Sequence, residues 1–287
     1  PRLADAGRFA KRAFQLIDEM DTDLTGILQD HFFNPEVFTI LDNVDSGRRE
    51  IDSARGKISE AVWLRLQGVA SSVYSGNLRL GDVSGLYDVV SRLGIHQTKV
   101  MIMLLGFQQS DSKDRETKII FARSFATSVM ANILALQMGF REASAQRAEL
   151  GGLFLDIGRQ MMLLYRKANL PGSSEIDDAF IETYHPYLAV KIIQRFSLPD
   201  YLQTIVLAQT MVLEENAVSL TGVVYLARAM VHASFRKYGN RLVIRCETPR
   251  PGTDTSRTLE AIIRDKFHMA ELDDHLILLR VPRTHEL

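Results

Sequence analysis

With 287 residues, 46% of them hydrophobic and 24% charged, the chain can form one large or two medium domains, each with its own core. Its 34 basic and 35 acidic residues leave a formal net charge of −1, which excludes bulk electrostatic attraction to nucleic acid or an acidic membrane. The single cysteine, Cys246, excludes an intramolecular disulfide framework and fits a reducing compartment.

Cys246 lies among Ile244, Arg245 and Glu247 without a nucleophile motif, and is expected to be a buried or bystander thiol. No apolar run approaches the roughly 20 residues that span a bilayer. The N-terminus also lacks the basic, apolar and small-residue order of a secretory signal, so a cytoplasmic protein is expected. The chain begins at Pro1 rather than Met, which fits a piece of a longer protein.

Phe9, Ala13, Leu16 and Ile17 predict a helix over Leu3 to Asp18, continued by a short helix over Asp21 to Asp30. Asn34-Pro35 is a helix start, and Val37, Ile40, Leu41 and Val44 form the face that follows. Asp45 to Gly56, polar and holding two glycines, is expected as a loop. The helical pattern returns from Ile58 to Val69 and ends in the small polar run Ala70 to Gly76. Asp82 is a candidate N-cap for a helix through Val83, Leu86, Val90 and Leu93, stopped by Gly94. A very apolar helix follows over Ile95 to Phe107, its methionines taken as core filler.

Gln108 to Lys118 is polar and is expected as a link. A helix over Thr117 to Met138 follows, with Phe121, Phe125, Val129 and Ile133 as its stripe and Gly139 as C-cap. Ala148 to Tyr165 (AELGGLFLDIGRQMMLLY) is expected as one buried helix, with Leu150, Leu153, Phe154, Ile157, Met161 and Leu164 on a face. Gly151 and Gly152 would suit the close approach of another helix backbone. After Leu170-Pro171-Gly172, a helix is expected to begin near His185-Pro186, with Leu188, Ile192 and Phe196 on a face until Leu198-Pro199. Another starts near Asp200 and carries Leu202, Ile205 and Val206.

Ser219 to Tyr238 is a further helix, with His232 beside its apolar face. Arg241 to Glu247 is a candidate short strand before a helix over Thr258 to Met269, and His275 to Val281 is either a second short strand or a final helix turn. The basic positions Arg245, Arg250, Arg257, Arg264, Lys266, Arg280 and Arg283 are interleaved with acids and lack an aromatic platform, so a solvated face is expected rather than a nucleic-acid interface.

Several helices, then Ser71-Ser72-Val73-Tyr74-Ser75-Gly76, then a helix ending Arg92-Leu93-Gly94 and a second apolar helix resemble the N-terminal lobe of the HDOD family. These are the HD-related output domains of bacterial signalling proteins. The family's Asn-Ser-Ala-Leu/Phe-Tyr run stands here as Ala70-Ser71-Ser72-Val73-Tyr74: its asparagine is gone, while Ser71 and Tyr74 remain, either to pack or to bind. The order helix, Leu-Asp-Ile-Gly helix, His-Pro helix, Leu-Pro, helix is similar to the family's second lobe and, more distantly, to HD phosphohydrolases.

A working HD site surrounds one or two divalent ions with His and Asp, and the metal lowers the pKa of bound water to make a nucleophile. The resemblance places the first histidine position at Ser124, the His-Asp pair at Leu155 and Asp156, and the next helix's histidine at His185. The His run after Leu-Pro falls at Ala208-Gln209-Thr210. Only Asp156 and His185 keep ligand chemistry, and a hydrolytic site needs at least three protein ligands plus water. In the bland alternative Asp156 caps or pairs locally and His185 is an N-cap before Pro186; in the sharper one they form, with Ser71 and Tyr74, a patch for a ligand or partner.

The resemblance implies an all-α chain of two packed helical lobes with a short β element near the C-terminus. Its expected divisions are a connector helix at 1–20, an N-terminal lobe at 21–110, an HD-like lobe at 111–238 and an extension at 239–287. It implies a non-catalytic regulatory module, without metal or other cofactor, that works by protein–protein contact in a response regulator beside a receiver domain. A homodimer is compatible with this reading. A degenerate metal phosphohydrolase and a nucleotide-sensing module are the alternatives.

Overall fold

The computed structural model describes residues 10–23, 34, 36–43, 47–72, 83–110, 115–168, 170, 172–210, 219–247, 259–269 and 272–281. As expected, these residues are mainly α-helical, and the strands among them form a single two-stranded sheet. Chain contacts divide the protein into two units, Pro1–Lys118 with Phe154–Leu213, and Ile119–Leu153 with Glu214–Leu287. The segment read as one HD-like lobe, 111–238, is thus shared between both units.

The first unit begins with helix α1 over 10–23, which buries Ala13, Leu16, Ile17 and Met20. Helix α2 (Glu36–Asp42) starts as expected at Asn34, whose side-chain oxygen accepts a hydrogen bond from Glu36 N at 3.0 Å. The expected loop over Asp45 to Gly56 is instead helix α3 (Arg48–Ser53) and a 3-10 turn, Ala54–Lys57. Its polar residues mislead because only Ile51 of α3 and Ala54 of the turn are buried, so the amphipathic signal is one residue wide per turn.

Helix α4 (Glu60–Ser72) precedes α5 (Leu86–Leu93), whose N-cap position is Gly85. Gly85 has no side chain to cap with, and Asp52 of α3 supplies the cap from a distance, accepting from Tyr87 N at 2.9 Å. A Cβ at Gly85 would lie 2.2 Å from that carboxylate. Asp88 accepts from Ser84 Oγ and Ser84 N, and these bonds, the side-chain one first, hold its carboxyl below the usual range. The candidate cap Asp82 lies outside the described residues. Gly94, at φ 81°, ends α5 as expected.

Helix α6 (Ile95–Ser110) is longer than predicted, so part of the polar link expected over Gln108 to Lys118 is helical. Helices α9 (Ile157–Lys167), α10 (Asp178–Arg195) and α11 (Asp200–Leu207) complete the first unit, and α10 packs on both α9 and α11. Where α10 ends, Ser197 takes φ 47°, with Ser197 N bonding Gln194 O and Leu198 N bonding Ile193 O.

Tyr165 in the last turn of α9 donates to Asp23 Oδ2 of α1 at 3.2 Å. Burial, reinforced by the Asp23 charge and hydrogen bond, pushes its phenol up to about 12. A raised phenol pKa means the folded state favours the neutral form. The contact's stability is therefore complete below about pH 10, the unfolded value, and is lost as pH rises from there through about 12. Phenolate absorbance followed through an alkaline titration is expected to show one tyrosine ionising near pH 12, and Tyr165→Phe to remove that step.

The second unit holds most of α7 (Arg115–Gln137) and α8 (Glu142–Phe154), with α12 (Leu220–Lys237) and α13 (Leu259–Met269). By length and composition α7 could cross a membrane, although no such run was expected from the sequence. Of its most apolar window 61% is buried within the protein, the setting of a core helix. Burial does not follow the expected four-residue stripe: Phe121 and Val129 are buried and Phe125 and Ile133 only half-buried, while Ala122, Ser124, Ala126, Thr127, Ser128 and Ala131 are buried as well. Gly152 of α8 meets the expected close approach: a Cβ there would lie 2.8 Å from both Cα and N of Ser128 on α7.

Ser219 caps α12 by accepting from Gly222 N at 3.0 Å, and His232 is exposed. Strands β1 (Leu242–Glu247) and β2 (Leu276–Val281) pair in parallel, Leu242 opposite Leu276. Cys246 lies in β1, and its side chain is outside what is described. Helix α13 buries Ile263 and Phe267, sets Phe267 edge-on to Phe125 with ring centres 5.2 Å apart, and pairs Lys266 with Glu149. That last pairing, with Arg264 on Glu260, shows two of the interleaved basic residues answered by acids.

Candidate functional site

The stretch expected as one helix is two. Helix α8 stops at Phe154, Leu155 and Asp156 form a turn, and α9 starts at Ile157. Asp156 takes the N-cap position of α9 with φ −103° and ψ 14°, but its carboxylate makes no capping hydrogen bond. Its side chain is 3% exposed and lies 3.9 Å from Arg159 Nε. Arg159 also forms an ion pair with Glu182 of α10. An apolar period of three and four residues cannot reveal this break, because the residues on both sides of it are buried.

His185 is likewise not a helix start. Helix α10 begins two turns earlier, where Asp177 caps it by accepting from Phe180 N at 2.7 Å, and His185 and Pro186 lie inside it. Proline at 186 has no N–H for the carbonyl of Glu182, yet the helix runs on for nine further residues to Arg195. His185 is 2% exposed. The feature that draws the Asp156 turn and His185 together is Gly158, for a Cβ there would stand 1.9 Å from His185 O and 3.0 Å from Ala189 N. The last residue of the Leu-Asp-Ile-Gly run is thus the crossing point of α9 and α10. This role was not assigned from sequence; the glycine inside an apolar helical pattern was its only signal.

Leu155 is 1% exposed, and its carbonyl accepts from Gln209 Nε2 at 2.8 Å. Ala208, 8% exposed, lies beside Gln209 in the 3-10 turn Ala208–Thr210 that follows α11. The first unit therefore gathers Leu155, Asp156, His185 and Ala208 on three connected pieces, and adds Arg159 and Gln209, which the sequence reading left without roles. Gln160, one turn beyond Asp156, is 1% exposed, and its side-chain amide has no hydrogen-bond partner among the described residues. Ser124 belongs to the second unit, where it is 2% exposed. Ser71 is exposed in the last turn of α4, and Tyr74 lies outside the described residues.

The donor set does not suit a hydrolytic metal. Of the five positions that the resemblance sets at the metal ligands, Ser124, Leu155 and Ala208 offer no imidazole or carboxylate, and a guanidinium already stands beside Asp156. Among the described residues no three His, Cys, Asp or Glu side chains are grouped to hold a metal ion.

No curated protein sequence matches this chain. Among solved structures, a Shewanella amazonensis protein provisionally named a metal-dependent phosphohydrolase is similar at 14% identity and TM-score 0.51, covering 92% of this chain and 98% of that one. A Geobacter sulfurreducens HDOD domain protein of unknown function is similar at 18% identity and TM-score 0.42, covering 83% and 86%. The likeness to the first is one of fold. The HDOD domain family matches residues 64–212, more than half of the chain, a segment that includes Asp156, Gly158 and His185. The chain belongs to the HDOD domain family.

Proposed function

We propose that this HDOD protein is a non-catalytic regulatory module that acts through protein–protein contact, as the output part of a bacterial response regulator. The observation that carries the reading is Leu155. An apolar side chain stands at the position that the resemblance gives to the metal histidine, the Leu155 carbonyl is held by Gln209, and the adjacent Asp156 faces a cation of its own chain. Two remaining donors fall short of the three that a hydrolytic site requires. Buried and braced by α10, the pair serves to lock the α8–α9 turn against α10, so that a rigid helical surface is presented to partners.

Metal analysis of the full chain after exposure to Mn, Zn or Fe, together with turnover of a phosphodiester, tests this. The expected result is substoichiometric metal and no hydrolysis, unchanged by Asp156→Asn. Stoichiometric metal that Asp156→Asn removes would overturn the reading. Capture from native cells with the whole chain as bait identifies the partner, and calorimetric titration with cyclic dinucleotides decides whether a nucleotide binds instead.

A further inference from the structure

Helix α1 lies outside the segment that matches the family, yet it sits on helices inside that segment. Its apolar stripe has the i, i+3, i+4, i+7 spacing of a docked amphipathic helix: Ala13, Leu16, Ile17 and Met20, each 4% exposed or less. Leu16 Cδ2 approaches Gly172 so closely that a Cβ on that glycine would be 2.7 Å away. Phe14 sets its ring edge-on to Tyr187 and Tyr184 of α10, with centres 5.3 and 6.1 Å apart, while remaining 45% exposed.

Charges frame this contact. Arg12 bonds Glu175 through two nitrogens, at 3.0 and 2.6 Å, and also reaches Glu19. Asp18 pairs with Lys191 at 3.1 Å, Asp21 is gripped by Arg195 at 2.9 and 2.8 Å, and Asp23 receives the Tyr165 hydroxyl. All of these ion pairs are partly exposed, so each holds weakly and is screened by salt. The α1 side carries an apolar stripe interleaved with acids and preceded by Arg12; the receiving side answers with aromatic rings, with the cations Lys191 and Arg195, and with Glu175.

We infer that the surface formed by α10, the end of α9 and the Ser173–Glu175 turn is a docking site for an amphipathic helix, and that α1 is its intramolecular occupant. The partner it fits is a helix of α1's chemistry, with apolar residues at i, i+3, i+4 and i+7 and carboxylates one and four positions after the third of them. Such a helix binds by displacing α1, so the cis helix sets the threshold for engagement. The inference rests on the regulatory reading above and names its contact surface. Metal or turnover would defeat that reading, whereas helix binding alone decides this one.

The test titrates the full chain into a fluorescein-labelled peptide with the sequence of residues 8–24. Two released forms are compared with the unaltered protein. Ile17→Asp breaks the stripe; Asp18→Lys with Asp21→Lys changes only partly exposed charges and keeps the test alive should the first not fold. The expected result is that a folded released form binds the peptide at least roughly tenfold more tightly than the unaltered chain, because the competing occupant is gone. Adding Arg195→Asp to that form is expected to cost most of the gain, and a peptide carrying Asp21→Arg to recover it. Equal binding by released and unaltered chains would overturn the inference, as would binding indifferent to Arg195→Asp.

Discussion

Replacing Gly158 with alanine is expected to be the most damaging single-methyl change in this protein. The added Cβ would sit 1.9 Å from His185 O, 2.9 Å from His185 C and 3.0 Å from Ala189 N. All three atoms are helical backbone, so no side chain can rotate away, and α9 and α10 must move apart. Overpacking a core usually costs about 1–3 kcal/mol, and a rigid backbone obstacle puts this substitution at or above the upper end. Urea unfolding of Gly158→Ala should show a midpoint lowered accordingly, with proton exchange of the α10 amides around His185 accelerated. Gly68 is the matched control. It lies in α4 with nothing within 4 Å of a built Cβ, so Gly68→Ala is expected to stabilise by about 0.5–1 kcal/mol through helix propensity. If Gly158→Ala unfolds no earlier than Gly68→Ala, the close crossing of α9 and α10 is wrong.

The second large effect centres on Lys99 of α6, whose side chain is wholly buried. Its ammonium bonds both carboxylate oxygens of Asp42, at 2.8 and 2.7 Å, approaches Ser197 O at 3.4 Å and lies 5.6 Å from the centre of the Phe38 ring. One cation thereby ties the end of α2 and the turn after α10 to α6. The partners are unequal, because Asp42 is 39% exposed and can return to water whereas Lys99 cannot. Asp42→Ala should therefore cost about 3–5 kcal/mol, the penalty for leaving a buried charge without its counterion. Lys99→Met keeps the volume, removes the charge and releases Asp42 to solvent, so its cost is expected below about 2 kcal/mol. Thermal or urea unfolding of both variants checks the order; equal losses would mean that the ion pair is not what joins these elements.

Much of the helical layout was legible from apolar spacing and punctuation. The start of α2 at Asn34, the stops at Gly94 and Gly139, and the strand before α13 follow from local rules that depend on residues a few positions apart. The misreadings have separate physical causes. In the Ala148 to Tyr165 stretch the protein buries residues on every side, so periodicity carries no phase and the turn at Leu155–Asp156 is silent. At His185-Pro186 the proline imitates a helix start, while the real cap, Asp177, lies eight residues upstream in a polar segment. At α3 the apolar face is too narrow to register.

The candidate site divides in the same way. That Leu155 precedes Asp156, with His185 further along the chain, is a matter of residue identity that the sequence alone determines, and it is the resemblance that sets Leu155 at a metal histidine's position. That Arg159 lies against Asp156, that Gln209 holds the carbonyl of Leu155, and that Gly158 brings α9 onto α10 at His185 are tertiary facts. The 54 residues separating Gln209 from Leu155 leave no local signature, because a hydrogen bond reads distance in space and not along the chain. Docking of α1 belongs to the same class: its stripe announced an amphipathic helix, and only packing decided that α9 and α10 receive it.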